Sequence, residues 1–189
     1  MRIISGAYRG CHLRSLKGAA LRPTSDQIRQ TLFDVLGPAV AGSRFLDLYA
    51  GSGAVGVEAL SRGAGEVTLV EHHRAAVDLI RRNLESLKAT VKVRVLACST
   101  ASGLERLAAE GASFDYVFLD PPYAEIAEYH YILRQLGRSS LLPPGALVVA
   151  EHSRHLRLED HYGRLARLRT LRHGDSQLSF YRPEERRSE

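Results

Sequence analysis

The 189-residue sequence predicts an α/β protein with a mostly parallel sheet of seven strands, helices on both faces, an antiparallel terminal hairpin and a basic amino-terminal arm. Three observations lead there. From residue 45 onward, short apolar strand-like runs alternate with runs of helical periodicity. A glycine-rich turn follows the first of those strands. Two further strand-like runs, 167–171 and 177–181, follow one another with no helix between them, as the arms of a hairpin do.

Residues 1–22 are rich in Gly and Arg, and Arg2-Ile3-Ile4-Ser5 and Cys11-His12-Leu13-Arg14, separated by Gly6 and Gly10, read as a hairpin or extended arm. Arg22-Pro23-Thr24 then leads into a helix. Thr24 is placed to cap it, Gln27 takes the capping-box position three residues on, and Ile28, Leu32 and Leu36 follow at helical spacing until Gly37-Pro38. Residues 1–44 form an appendage on this reading, 45–183 the main domain, and 184–189 a charged, disordered tail.

Within the main domain the expected strands are 45–48, 66–71, 91–96, 116–119 and 146–150, followed by the hairpin. The helices between them are 54–62, ended by Gly63, then 74–87, 101–109 and 129–136.

Composition narrows the class. With 44% hydrophobic and 25% charged residues the chain has the balance of a single globular domain. The start lacks the apolar stretch of a signal peptide, and no apolar run approaches the roughly 18 residues of a membrane span. A cytoplasmic protein with no membrane partner is expected, with a monomer as the simplest state. Cys11 and Cys98 suit free thiols, and His152, His155, His161 and His173 lack metal-ligand spacing, so no metal is assigned.

The net charge of +5 is unevenly placed. Residues 1–44 hold seven Lys/Arg against two acids, whereas the remaining 19 basic and 19 acidic residues cancel. A basic arm on a neutral body suits a polyanion, because each phosphate neutralised releases counterions. Arg2, Arg9, Arg14 and Arg22 are the candidate nucleic-acid contacts. Arg154, Arg157, Arg164, Arg167 and Arg169, interspersed with apolar residues, read as a solvated face able to widen such a footprint.

The first chemical signal is Asp47-Leu48-Tyr49-Ala50-Gly51-Ser52-Gly53-Ala54, at the carboxyl end of the first strand, where open α/β sheets bind ligands. Its glycines permit a tight turn and close approach to a nucleotide. Gly51 to Gly56 also satisfies the dinucleotide pattern Gly-x-Gly-x-x-Gly. Asp47, inside the strand end, favours a cationic ligand such as S-adenosylmethionine over a pyrophosphate. Glu71, ending the second strand, is placed for ribose hydroxyls, a role it would share in NAD enzymes. Tyr49, Ala50, Gly51, Ser52 and Gly53 complete the candidate cofactor contacts, with His72 and, after the third strand, Cys98.

The more specific signal is Asp120-Pro121-Pro122-Tyr123 at the end of the fourth strand. Two prolines fix the backbone and remove two N–H donors, leaving carbonyl oxygens and the Asp120 carboxylate as an acceptor-rich surface. The exocyclic amine of a base is a poor nucleophile because its lone pair is delocalised. Acceptance of both its N–H bonds, by Asp120 and the Pro121 carbonyl, favours a more tetrahedral nitrogen aimed at the methyl donor. Tyr123 would supply a stacking platform for the base.

These residues resemble the RsmD-type family, the bacterial small-subunit ribosomal RNA guanine-N2 methyltransferases. The resemblance is carried by Arg2-Ile3-Ile4-Ser5-Gly6, Arg22-Pro23-Thr24-Ser25-Asp26, Phe45-Leu46-Asp47-Leu48-Tyr49-Ala50-Gly51-Ser52-Gly53, Glu58-Ala59-Leu60-Ser61-Arg62-Gly63-Ala64 and Phe118-Leu119-Asp120-Pro121-Pro122-Tyr123. It implies a Rossmann-like class I methyltransferase fold, S-adenosylmethionine as cofactor, and N2 of a guanine in 16S ribosomal RNA as acceptor, within the small ribosomal subunit or an assembly intermediate. Cys98 and Gln30 depart from the family pattern, which has acidic or amide residues near the first and usually Glu at the second. The residues alone leave other readings open: an adenine-N6 or cytosine-N4 methyltransferase, an NAD-dependent oxidoreductase, or a non-enzymatic RNA-binding assembly factor.

Overall fold

The computed structural model describes residues 1–15, 25–89 and 92–184. Arg22 and Thr24, and the tail beyond Glu184, therefore lie outside the described residues.

A sheet of eight strands runs through the molecule in the order β3-β2-β1-β4-β5-β8-β7-β6. The strands are β1 (Arg44–Leu48), β2 (Glu66–Glu71), β3 (Lys92–Ala97), β4 (Tyr116–Leu119), β5 (Leu147–Ser153), β6 (His161–Tyr162), β7 (Leu165–His173) and β8 (Ser176–Pro183). The first five pair in parallel, and β8 enters antiparallel between β5 and β7. The count of seven is corrected by β6, two residues that pair with Leu165 and Ala166 and are too short to leave an alternating pattern.

Helices α1 (Asp26–Leu36), α2 (Ala54–Ser61), α3 (Arg74–Ser86), α4 (Thr100–Ala109) and α5 (Ile126–Arg138) cover the sheet. Leu48, Leu119, Ile132, Leu133 and Tyr181 share one buried cluster, while Leu32, Phe33, Phe45, Phe118 and Phe180 share the other. Side chains alternate along each strand, so neighbours such as Phe118 and Leu119 point into opposite layers.

Ser25 caps α1: its hydroxyl accepts from the Ile28 amide at 3.2 Å. This moves the cap one residue beyond the expected Thr24 and takes Gln27 out of the capping box. The Gln27 side chain instead lies 3.0 Å from His173 at the end of β7.

The amino-terminal residues form a hairpin joined by an Arg2–His12 bridge and docked on α2. The buried Glu58 carboxylate accepts from the Ile4 and Ser5 amides at 2.8 and 3.0 Å and from Arg62 at 2.8 Å. A side chain on Gly6 would strike the Ser61 carbonyl, its Cβ falling 1.7 Å away, so only glycine lets the arm lie this close. Buried Arg29 adds a tie from α1, donating to Asp26 at 2.7 Å and to the Arg2 carbonyl at 2.9 Å.

Candidate active site

The carboxyl ends of β1, β2, β4 and β5 converge on one cavity of about 290 Å³. Tyr49, Glu71, His72 and His73 line one part of it, and Asp120 through Ala124 with Glu151 line the rest. Two separately identified motifs, the glycine turn and Asp-Pro-Pro-Tyr, thus meet because parallel strands deliver their carboxyl ends to the same edge.

The turn after β1 is held from behind. Asp47, which is 2% exposed, accepts from the Gly56 amide at 2.8 Å through Oδ2. A Cβ at Gly56 would stand 3.2 Å from that oxygen and 2.9 Å from Leu69, so this contact depends on glycine. Burial pushes the Asp47 carboxyl up to about 7, opposed by the Gly56 amide and assisted by the Glu71 charge. Tyr49 adopts a left-handed backbone (φ 61°) and shares the turn with Gly51 and Gly53, at φ 55° and 79°. Its hydroxyl donates to Glu128 at 2.6 Å, while burial and this acceptor hold it protonated.

Glu71 accepts from the Gly51 amide at 2.9 Å and from the His73 amide at 2.8 Å. A carboxylate has about four lone-pair sites, so the Glu71 face on the cavity retains acceptor capacity for hydroxyls. Glu71, His72 and His73 bring ligand atoms within 4.8 Å of one another, a geometry able to hold a cation. One Glu71 oxygen is engaged by Gly51 of the turn and the other by the His73 amide.

On the opposite wall, the Pro121 carbonyl accepts from the buried Tyr129 hydroxyl at 2.8 Å. The Tyr123 hydroxyl lies 2.7 Å from Ser176 and donates to Glu151 at 3.3 Å. The Tyr123 ring is therefore fixed at its hydroxyl end by β5 and β8.

Glu151 was not singled out from the sequence, and His73, which beside His72 could approach a ribose or adenine, was not named among the cofactor contacts. Glu151 carried a readable signal, an acidic residue directly after an apolar strand, as Glu71 is. Ala50, Ser52 and the glycines form the turn beside the cavity, and Cys98 stands outside this lining, half-buried at the end of β3 with its thiol pushed up by burial. Arg2 and Arg9 are exposed and line a separate groove of about 370 Å³ with Asp26, Gln27 and Gln30 of α1. Arg14 is exposed, and its backbone N–H and C=O both bond to Asn83 of α3, whose amide also donates to the Ser52 carbonyl at 3.0 Å.

Comparison with known proteins agrees with this architecture. The family model described as Conserved hypothetical protein 95 matches residues 1–182. The "Putative rRNA methyltransferase YlbH" of Bacillus subtilis is 34% identical over 182 residues, covering 96% of this chain and 98% of its own. The "Ribosomal RNA small subunit methyltransferase D" of Haemophilus influenzae is 37% identical over 152 residues, covering 80% and 78%. Among solved structures, "Putative methyltransferase yhhF from Escherichia coli" superposes with a TM-score of 0.83 at 34% identity, covering 97% and 98%. The fold is that of the class I S-adenosylmethionine-dependent methyltransferases, and the chain belongs to the RsmD-type family whose model is described as Conserved hypothetical protein 95.

Proposed function

We propose that the protein transfers a methyl group from S-adenosylmethionine to the exocyclic N2 amine of a guanine in 16S ribosomal RNA, within the small subunit or its assembly intermediate. One observation carries this reading: the Asp120–Tyr123 acceptor surface and the Glu71 end of the nucleotide turn line the same cavity. The names of its relatives support the ribosomal RNA substrate.

The residues fit the cofactor. Glu71 offers acceptors for ribose hydroxyls, and a buried carboxylate at Asp47 with a raised pKa gains most from a neighbouring positive charge. When bound, S-adenosylmethionine supplies an electrophilic methyl group on a sulfonium. The chain's own work is positioning. Asp120 accepts one amine N–H, the Pro121 carbonyl accepts the other through its second lone pair, and Tyr123 stacks on the base. Exposed Arg2, Arg9 and Arg14, with Arg22, contact the RNA backbone.

The test is methyl transfer from labelled cofactor to unmodified small subunits, to protein-free RNA and to DNA, followed by identification of the modified nucleoside. N2-methylguanosine in subunits is expected. N6-methyladenine or N4-methylcytosine would replace the acceptor, and cofactor binding without transfer to any of the three would overturn the reading.

A further inference from the structure

Five arginines meet in a groove of about 550 Å³ far from the amino-terminal arm in sequence: Arg154, Arg157, Arg167, Arg169 and Arg172. We propose that this groove is a second docking surface for the phosphate backbone of the RNA substrate; this rests on the reading of the protein as an RNA methyltransferase.

The groove is built by the fold. Among the described residues, β6 pairs with β7 only at Leu165 and Ala166, and the Arg167 N–H bonds to the Asp160 carbonyl at 2.8 Å, so β7 presents an open edge from Leu168 onward. A register shift between Arg167 and Arg169 interrupts the ladder there. Such a bulge re-aims side chains, and here it brings Arg167 to the face of Arg172, which strict alternation would separate, while Arg169 lies over the Phe180 ring at 5.1 Å. The bulge leaves Leu168 53% exposed among them. The segment after β5 forms the other wall, and the Gln177 side chain crosses the floor to the Leu156 carbonyl at 3.4 Å.

Charge on an edge strand also blocks unwanted pairing between sheets. That role explains Arg167, Arg169 and Arg172 but not Arg154 and Arg157, which lie across the groove on the facing segment. Two carboxylates offset the five guanidinium groups: Asp160 pairs with Arg167, and Asp175 with Arg154 at 3.3 Å. Arg157 and Arg172 are exposed and pair with no carboxylate among the described residues.

Position supplies the second argument. Gln177 lines the groove, and its chain neighbour Ser176, whose side chain points to the other face of the sheet, lies 2.7 Å from the Tyr123 hydroxyl, so the start of β8 takes part in both regions. At the end of β7, His173 reaches Gln27 at 3.0 Å, and Gln27 lines the groove holding Arg2 and Arg9. His173 follows Arg172 of the arginine groove, so the end of β7 links that groove's edge to the helix lining the other. A folded polyanion fits this layout, each exposed guanidinium taking one phosphate.

The experiment compares wild type with the double variant Arg157→Gln, Arg172→Gln for binding to unmodified small subunits and to protein-free 16S RNA, between about 50 and about 200 mM salt. Affinity for both should fall by about tenfold or more, with a salt slope shallower by about one to two. The variant Arg157→Lys, Arg172→Lys should keep most of that slope, and thermal midpoint and cofactor affinity should match wild type in both. Unchanged RNA affinity and slope in the Gln variant would overturn the proposal. Loss confined to protein-bearing subunits would also overturn it, assigning the groove to an acidic protein partner. Wild type binding neither RNA would instead overturn the underlying function.

Discussion

The Tyr129 hydroxyl donates a 2.8 Å hydrogen bond to the Pro121 carbonyl. Tyr129 is fully buried and held protonated by desolvation, so toward that carbonyl it is the donor and fixes its direction. Tyr129→Phe should slow methyl transfer by up to about tenfold, since one such bond is worth about 0.5–1.5 kcal/mol. Single-turnover rates at saturating cofactor would show it, with cofactor affinity unaltered. An unchanged rate would mean that the carbonyl needs no such restraint.

On the proposed mechanism, Asp120→Ala should lower turnover by at least about a hundredfold while sparing cofactor binding, because it removes an acceptor used as the amine attacks the methyl group. Methyl incorporation and calorimetry on the same preparation separate the two effects. Full activity in this variant would place the chemistry elsewhere.

Asp47 predicts a pH signature. Its carboxyl stands near 7, so cofactor affinity should climb from about pH 6 to about pH 8, with proton release on binding. Calorimetry in buffers of different ionisation enthalpy measures that proton, and Asp47→Asn should abolish the dependence. In the unliganded protein the linkage has the opposite consequence. A carboxyl raised from 3.8 stabilises the fold at low pH, and this contribution is lost as pH rises through about 7.

His152 runs the other way. It is fully buried between the Ser153 carbonyl and the Ser179 hydroxyl, and burial lowers its pKa from 6.5 to about 4. Its contribution is intact above 6.5 and lost as pH falls toward 4, with a slope approaching 1.4 kcal/mol per pH unit. Denaturant midpoints of wild type and His152→Gln across that range would reveal the difference.

Glu58→Ala should cost about 3 kcal/mol or more, since it strips two arm amides and Arg62 of their buried acceptor. Thermal melts and limited proteolysis should show the arm cleaved first. An arm as resistant as wild type would mean that Ser61 and Arg29 suffice to hold it.

Much of this was legible. Strands 66–71 and 116–119 were read to the residue, helped by Gly63 and Gly65 before the first run and Asp120-Pro121-Pro122 after the second. The two motifs were visible, and a parallel sheet requires that they meet. Less legible was anything made by long-range pairing. The strand expected to end at 150 continues through Glu151, His152 and Ser153 because β8 lies alongside, burying polar residues that read as loop. The arginine groove depends on a bulge and an open edge, neither of which has a local signature in Arg167-Leu168-Arg169. The docking of the arm hinges on Glu58, which reads simply as one polar position in a helix.

The placement of β8 between β5 and β7 bears on how the chain folds. The sheet cannot assemble in sequence order, because β6 and β7 have no place beside β5 until residues 176–183 intervene. Pairing of this kind has high contact order, which slows folding and leaves β5 as a bare edge in the interim. A fragment ending before Ser176 would lack both that strand and one of the two anchors of the Tyr123 hydroxyl, and would be expected to aggregate rather than hold a half-formed site.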